Sequence, residues 1–137
     1  MRERLRRGLQ YPGVHWLGET TGPEPLLGRI DMLCMPSSWE GQPLAALEAM
    51  AAGVLVVASD IPSLAELLGG APAAGLTLAT DPALWAAQIA ALAADTAGQD
   101  SRRAEALRRV REEHRLDQML DRIESAYGDA LAAAGRR

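Results

Sequence analysis

The sequence predicts an α/β protein in which helices wrap a short parallel sheet. Two apolar runs of strand length, residues 30–36 and 54–60, flank a segment of helical character. A third, weaker run follows at residues 74–79, after a further predicted helix. Strands that alternate with helices through short connections favour parallel pairing with right-handed crossovers. In such a sheet, ligands bind at the carboxyl ends of the strands.

These patterns together indicate a Rossmann-like, three-layer α/β/α arrangement with the C-terminal helices packed on the sheet. The chain has 137 residues, of which 48% are apolar and 23% are charged, and these values are ordinary for one globular domain with a hydrophobic core. We therefore expect a single compact α/β unit.

Composition excludes several classes of function. The net charge of −4 gives no electrostatic attraction to nucleic acid, so we expect no nucleic-acid partner. Without an apolar run of eighteen residues or a signal-peptide pattern, we expect no integral membrane segment and a cytoplasmic location. All fourteen basic residues are arginine, which leaves no lysine for a Schiff base with pyridoxal phosphate. Cys34, His15 and His114 are too dispersed for a metal site, and we expect neither a metal nor another cofactor.

The first part of the chain precedes the central segment. Residues 1–10 are strongly basic and indicate the end of a helix or a frayed terminus, and residues 13–18 predict a strand that ends at a glycine. A short helix over residues 23–29 would pack Leu26 and Leu27 before the next strand begins.

The segment between the two main strands predicts a helix that begins at Pro43 and ends at Gly53. Proline suits the first helical position because its missing N–H would be unpaired there, and glycine suits the residue after the last turn. Glu48 is the only charged side chain within this helix. We therefore expect a helix covered on most sides, with Glu48 near an apolar environment.

Glu40 and Gly41 lie in the turn ahead of this helix, where free backbone N–H groups and the helix dipole favour an anion. Glu48 follows eight residues after Glu40 and would point toward a group attached to that anion. A carboxylate accepts hydrogen bonds well from vicinal hydroxyls such as those of ribose. The arrangement predicts a nucleotide-linked ligand. The structural alternative is that Glu40 only caps the helix and Glu48 is a buried acid satisfied by backbone groups.

Beyond the second strand the chain predicts four helices and the weaker strand at residues 74–79. Ser63 would cap a short helix, with Glu66 completing a capping box. Asp81 as N-cap and Pro82 at the first position would open the next helix. Interleaved charges over residues 102–115 predict a solvated helix held by i,i+4 pairs.

The last helix carries an apolar stripe with an acidic opposite side. This pattern is typical of a core or partner contact and not of a membrane anchor. The stripe is formed by Leu116, Met119, Leu120, Ile123, Tyr127 and Leu131.

The central segment resembles the Glu-x7-Glu motif of the retaining glycosyltransferases of GT-B fold, the "group 1" family that includes sucrose, glycogen and lipopolysaccharide sugar transferases. The matching stretches are residues 16–18, 31–37, 40–41, 47–53, 56–58 and 59–66. The resemblance implies an enzyme that moves a hexose from a nucleoside-diphosphate sugar to an acceptor, with retention and without a metal. The sequence departs from the family at Pro62 and Ser63, where the family usually carries two glycines.

The resemblance also implies roles for individual residues. Glu48 would bind the ribose hydroxyls, and Glu40 would face the hydroxyls of the donor sugar as the candidate catalytic residue. The backbone N–H groups of Gly41, Gln42 and Leu44 would bind the sugar or the diphosphate.

Three further residues have two open interpretations each. Ser37 would reach the phosphate or cap the turn after the first main strand. Glu19 and Thr20 would contact the nucleobase by resemblance, or belong to a plain surface loop.

The resemblance covers this chain but only part of the family's enzyme, which has two domains with the active site between them. We therefore expect residues 1–137 to be a partial, C-terminal nucleotide-sugar-binding domain without the acceptor domain. An arginine and a lysine that the family places on the diphosphate cannot be assigned here. The expected partners are a nucleotide-sugar and the missing N-terminal part, and the chain alone should be almost inactive. The alternative is a non-catalytic module that forms a homo-oligomer or docks on a partner through its sheet edge and last helix.

Overall fold

One parallel sheet forms the centre of the molecule. The computed structural model describes residues 11–70, 73–79 and 81–135. The strands are β1 (Met32–Met35), β2 (Leu55–Ser59) and β3 (Leu76–Leu78), in the order β1-β2-β3. Both pairings are parallel. The α/β fold predicted from alternating strands and helices is confirmed.

Six helices surround this sheet in the described part of the chain. They are α1 (Glu24–Leu27), α2 (Leu44–Ala51), α3 (Pro62–Leu68), α4 (Pro82–Ala94), α5 (Thr96–Glu113) and α6 (Leu116–Ala134). The expected helix end at residues 1–10 lies outside the described residues.

Both faces of the central strand are covered, which makes the arrangement three-layered. Every residue of β2 is buried. Because side chains alternate along a strand, Val56 and Ala58 join a core cluster with α2, α3 and α5, whereas Leu55 and Val57 join a smaller cluster with α4. The C-terminal helices α4 and α5 therefore pack on opposite faces of the sheet.

The helix α2 matches its predicted bounds within one or two residues. Pro43 is the N-cap residue and not the first helical residue. At the other end Gly53 has a φ of +74°, which glycine adopts at little cost. The N–H of Gly53 donates to the Met50 carbonyl at 3.1 Å and the N–H of Val54 donates to the Ala49 carbonyl at 2.8 Å. This pair of bonds is a Schellman motif, so the glycine ends the helix as predicted.

The strand predicted at residues 13–18 is wrong. The structure has no strand there, and all of residues 11–21 are exposed. A strand needs a neighbour to complete its backbone hydrogen bonds, and β1, β2 and β3 pair only with one another among the described residues. The local pattern is suited to a strand, but residues 11–70, 73–79 and 81–135 offer it no partner strand.

The capping box predicted at Ser63 and Glu66 is also wrong. Ile61 is the N-cap of α3, and no side chain caps that end of the helix. Pro62 takes the first helical position and Ser63 the second, two positions past the N-cap. The Ser63 hydroxyl donates to the backbone carbonyl of Glu40 instead. By contrast, Asp81 caps α4 as predicted, accepting from the Ala83 N–H at 2.9 Å.

The charged helix α5 is only partly a solvated face. The predicted pairs are present, with Arg109 to Glu105 and Arg108 to Glu112 both at 2.8 Å. Glu105 is nevertheless buried, and Arg109 also donates to the Leu67 carbonyl at 3.0 Å. The pairs therefore tie α5 to α3 as well as stabilising α5 itself.

The last helix, α6, carries its apolar stripe on the surface. No residue of α6 is buried, and all six predicted stripe residues are exposed. Within the described ranges, no helix combines the length and the apolar character that crossing a membrane requires.

Candidate functional site

The turn formed by residues 37–43 connects the carboxyl end of β1 to the start of α2. β1 ends at Met35, and α2 begins at Leu44. The turn therefore lies at the edge of the parallel sheet where ligands of such folds bind. It contains four of the candidate site residues, namely Ser37, Glu40, Gly41 and Gln42, and we call it the Glu40 turn.

Two serine hydroxyls hold Glu40 from different directions. Ser37 Oγ donates to Glu40 Oε1 at 2.7 Å, and Ser63 Oγ donates to the Glu40 backbone carbonyl at 3.1 Å. Glu40 is half-buried. The N-terminus of α2 has no side-chain cap, so the alternative in which Glu40 only caps this helix is wrong. The carboxylate is instead held within the turn, with one oxygen bonded to Ser37.

The backbone donors at the start of α2 differ in their availability. The Leu44 N–H donates to the Gln42 carbonyl at 2.9 Å, so it is already engaged. The N–H groups of Gly41 and Gln42 make no hydrogen bond to another described residue. Both residues are exposed, and these two N–H groups can therefore receive an anion without breaking an internal bond.

Glu48 lies on the exposed side of α2, and the expected apolar environment is wrong. The buried residues of this helix are Ala46, Ala49 and Met50. With 3.6 residues per turn, Glu48 lies about 160° around the helix from Met50 and Ala46, so it faces away from the core. The alternative in which Glu48 is a buried acid is excluded by this exposure. Its side chain is exposed to solvent and can therefore meet a ligand.

Two clefts open beside the Glu40 turn. One, of about 470 Å³, lies between the start of α2 and the apolar side of α6. Its lining includes Gln42, Leu44, Leu47, Leu116, Met119 and Ile123. The other, of about 450 Å³, is more polar, and its lining includes Gly41, Gln42, Ser63, Glu66, His114 and Arg122.

Arg122 and His114 are residues that the sequence did not single out for this site. Arg122 lies on α6, and His114 directly follows α5. Both line the two clefts next to Gln42. They lie more than seventy residues downstream of the Glu40 turn, so no local motif links them to it. Only the packing of α5 on α2 brings this end of the chain to the turn.

The candidate nucleobase residues remain on the surface segment formed by residues 11–21. Glu19 and Thr20 are exposed, and Thr20 Oγ1 donates to the Gly22 carbonyl at 3.0 Å. Neither residue lines the clefts beside the Glu40 turn. The described residues contain no group of three or more metal-ligating side chains.

A family model and two curated relatives all identify glycosyltransferases as similar to this chain. Residues 1–95 match the family described as "Glycosyl transferases group 1". The chain is 37% identical over 82 residues to the lipopolysaccharide core biosynthesis mannosyltransferase LpsB of Rhizobium meliloti (strain 1021), covering 59% of this chain and 23% of that relative. It is 34% identical over 124 residues to the D-inositol 3-phosphate glycosyltransferase of Salinispora arenicola (strain CNS-205), covering 89% of this chain and 28% of that relative.

The chain thus spans about a quarter of the length of these curated relatives. The match includes the whole of the Glu40 turn and α2, and the sheet is parallel as the resemblance implies. The chain belongs to the group 1 glycosyltransferases.

Proposed function

We propose that this chain is the nucleotide-sugar-binding part of a retaining hexosyltransferase. Joined to an N-terminal acceptor domain, it would transfer a hexose from a nucleoside-diphosphate sugar to an acceptor. The observation that carries the proposal is the Glu40 turn, where the N–H groups of Gly41 and Gln42 are unengaged; along the sequence Glu40 precedes them and the exposed Glu48 follows them. The mannosyl and glycosyl transfer named in the two relatives supports a sugar donor.

The chemistry follows from charge that develops as the nucleoside diphosphate leaves. Backbone N–H groups fixed at the start of a helix stabilise this charge more in the transition state than in the ground state. Gly41 and Gln42 supply such groups on the exposed side of the turn. Leu44 would contribute only after its N–H gives up its hydrogen bond to the Gln42 carbonyl. No nucleophile from the protein and no metal enters this scheme.

The carboxylates have separate roles in this proposal. Glu48 accepts the ribose hydroxyls, and its exposure on α2 leaves it free to do so. Glu40 faces the hydroxyls of the donor sugar, and Ser37 holds one of its oxygens at 2.7 Å. The free Oε2 and the backbone of the turn would then meet the sugar. The chain by itself would bind nucleotide without transferring sugar, since the acceptor side is contributed by the rest of the enzyme.

Replacing Glu48 by glutamine tests the proposed function. Hydrogen bonds to charged groups contribute about 1.5 to 3 kcal/mol, so Glu48→Gln should raise the Kd for the nucleotide at least severalfold. Isothermal titration calorimetry with UDP, GDP and ADP measures this change. Glu124→Gln is a matched control because Glu124 is an exposed glutamate on another helix, α6, and the affinity should not change. An unchanged Kd in Glu48→Gln would contradict the ribose role.

A docking module is the second candidate, and two surface features favour it. β1 is an edge strand that pairs only with β2 among the described residues, and α6 exposes its apolar stripe. Unpaired strand edges and exposed apolar faces are typical of protein contacts. A stable dimer that binds none of the three nucleotides, seen by analytical ultracentrifugation, would favour this candidate over the transferase.

A further inference from the structure

One hydrogen bond connects the Glu40 turn to a helix far along the chain. Ser63 Oγ donates to the Glu40 backbone carbonyl at 3.1 Å across 23 residues of sequence. Ser63 is half-buried in the first turn of α3, and it lines the polar cleft together with Gly41 and Gln42. The hydroxyl therefore lies between α3 and the backbone that offers the anion donors.

The carbonyl that accepts this bond belongs to the same peptide unit as the Gly41 N–H. A trans peptide is planar, and its C=O and N–H point in opposite directions. A bond that holds the Glu40 carbonyl toward α3 therefore directs the Gly41 N–H away from Ser63. The orientation of the donor is set by a residue that does not itself need to touch the ligand.

Glycine at position 41 makes such a restraint necessary. The φ of Gly41 is outside the left-handed range, and a Cβ built there would meet only the Trp39 ring at 3.5 Å, which is ordinary contact. Neither strain nor crowding thus requires glycine in the observed conformation. Glycine adopts both signs of φ with similar ease, so the Glu40–Gly41 peptide can rotate at little steric cost. Ser37 bonds the Glu40 side chain and leaves this peptide unrestrained.

We propose that Ser63 is a positioning residue that locks the Glu40–Gly41 peptide and holds the Gly41 N–H ready for the phosphate of the nucleotide. This inference rests on the proposed function for its ligand, but the lock itself is a property of the free protein. Removing the hydroxyl should release the peptide and weaken only the part of binding that depends on phosphate. Ribose contacts made by Glu48 should be unaffected.

The lock is tested first without ligand, by nuclear magnetic resonance of the 15N-labelled chain. In Ser63→Ala the Gly41 amide should shift and broaden through exchange between two peptide orientations, and Ser63→Thr, which keeps a hydroxyl, should restore the original signal. Ser125→Ala is the matched control, since Ser125 is an exposed serine of α6, outside the Glu40 turn. A Gly41 signal that is unchanged in Ser63→Ala would overturn the inference.

The role in phosphate binding is tested by comparing each nucleoside diphosphate with its nucleoside. Calorimetry with UDP, GDP and ADP against uridine, guanosine and adenosine gives the affinity gained from the phosphates. Ser63→Ala should reduce this gain about three- to tenfold, the range for one lost hydrogen bond, while the nucleoside affinity stays close to that of the parent. Ser63→Thr should recover the gain. Equal losses for nucleotide and nucleoside, or no loss, would overturn the inference.

The two proposals fail in different ways. If nucleotides bind and Glu48→Gln weakens them, but Ser63→Ala leaves the phosphate gain unchanged, the positioning role is wrong and the proposed function stands. If none of the three nucleotides binds the parent chain, the proposed function and the phosphate role of Ser63 are both contradicted. In that case, the Gly41 signal still decides whether Ser63 locks the peptide.

Discussion

Two parts of the molecule contain similar apolar side chains in opposite environments. One part is the sheet with α2, α3 and α5, and the other consists of two exposed segments, residues 11–21 and α6. Leu64 of α3 is fully buried, whereas Leu131 of α6 is 74% exposed. Trp16, in the first surface segment, is 62% exposed. The first part buries its apolar side chains within the unit, whereas the second exposes them to solvent. Exposed apolar side chains of this kind are typical of surfaces that contact another molecule or domain.

Polarity alone does not decide which helices are covered. The helix α5 is rich in charged residues, yet Ala106 and Glu105 are buried. Glu105 binds both Arg108 and Arg109, and these side-chain hydrogen bonds lower the pKa of Glu105 to about 2. The more apolar α6 has no buried residue. Contact with α2 and α3, and not composition, therefore determines burial.

The largest contrast should come from a matched pair of leucine substitutions. Leu64→Ala should lower the free energy of unfolding by about 2 to 5 kcal/mol, because it leaves a cavity in the core. Leu131→Ala should change it by less than about 0.5 kcal/mol, since the side chain is mostly in water. Urea unfolding followed by circular dichroism measures both. Similar losses for the two variants would mean that α6 is covered in solution and that the contrast between the regions is wrong.

Two glycine-to-alanine substitutions should change the free energy of unfolding by smaller amounts and in opposite directions. In Gly75→Ala the new Cβ would lie 2.7 Å from the Val56 carbonyl oxygen and 2.9 Å from Leu68 Cδ2, so we expect a loss of about 1 to 3 kcal/mol. In Gly128→Ala, in the exposed α6, the Cβ meets nothing within 4 Å, and the higher helix propensity of alanine should add about 0.5 to 1 kcal/mol. Thermal melts should therefore move in opposite directions. Equal shifts would contradict the packing around β2.

The smallest effect should be the pH dependence that Glu105 contributes. Its pKa falls from an ordinary 4.5 to about 2 on folding, so its contribution is present above about pH 4.5 and is lost as the pH falls toward 2. Glu105→Gln should lower the urea midpoint at pH 6, and the difference from the parent should shrink at pH 2.5. Glu112→Gln is the control, because Glu112 is an exposed partner of the same arginine. A difference that is the same at both pH values would show that Arg108 and Arg109 do not lower the pKa of Glu105 on folding.

The sequence predicted the part of the fold that depends on local patterns. The apolar runs located β1, β2 and β3, and Pro43 and Gly53 located the ends of α2. The strand expected at residues 13–18 failed because a strand requires a partner that a local pattern does not supply.

The candidate site was predictable to a similar degree. Glu40 and Gly41 were placed at the carboxyl end of a strand, but Glu48 was expected near apolar groups. This expectation was wrong because it counted the alanines around Glu48 as buried. Ala45, Ala51 and Ala52 are exposed, and such small side chains do not identify a buried face. The bond from Ser63 to Glu40 crosses 23 residues and could only be found in three dimensions.

The central claim is that the Glu40 turn binds the nucleotide of the donor. Its most direct test is a nuclear magnetic resonance titration that locates the residues of the 15N-labelled chain whose backbone signals change. On titration with UDP, GDP or ADP, the claim predicts shifts concentrated in the Glu40 turn and the exposed side of α2, with Gly41, Gln42 and Glu48 among the most affected. The stripe of α6 should change little. Shifts confined to α6, or none with any of the three nucleotides, would contradict the assignment of the Glu40 turn as the donor site.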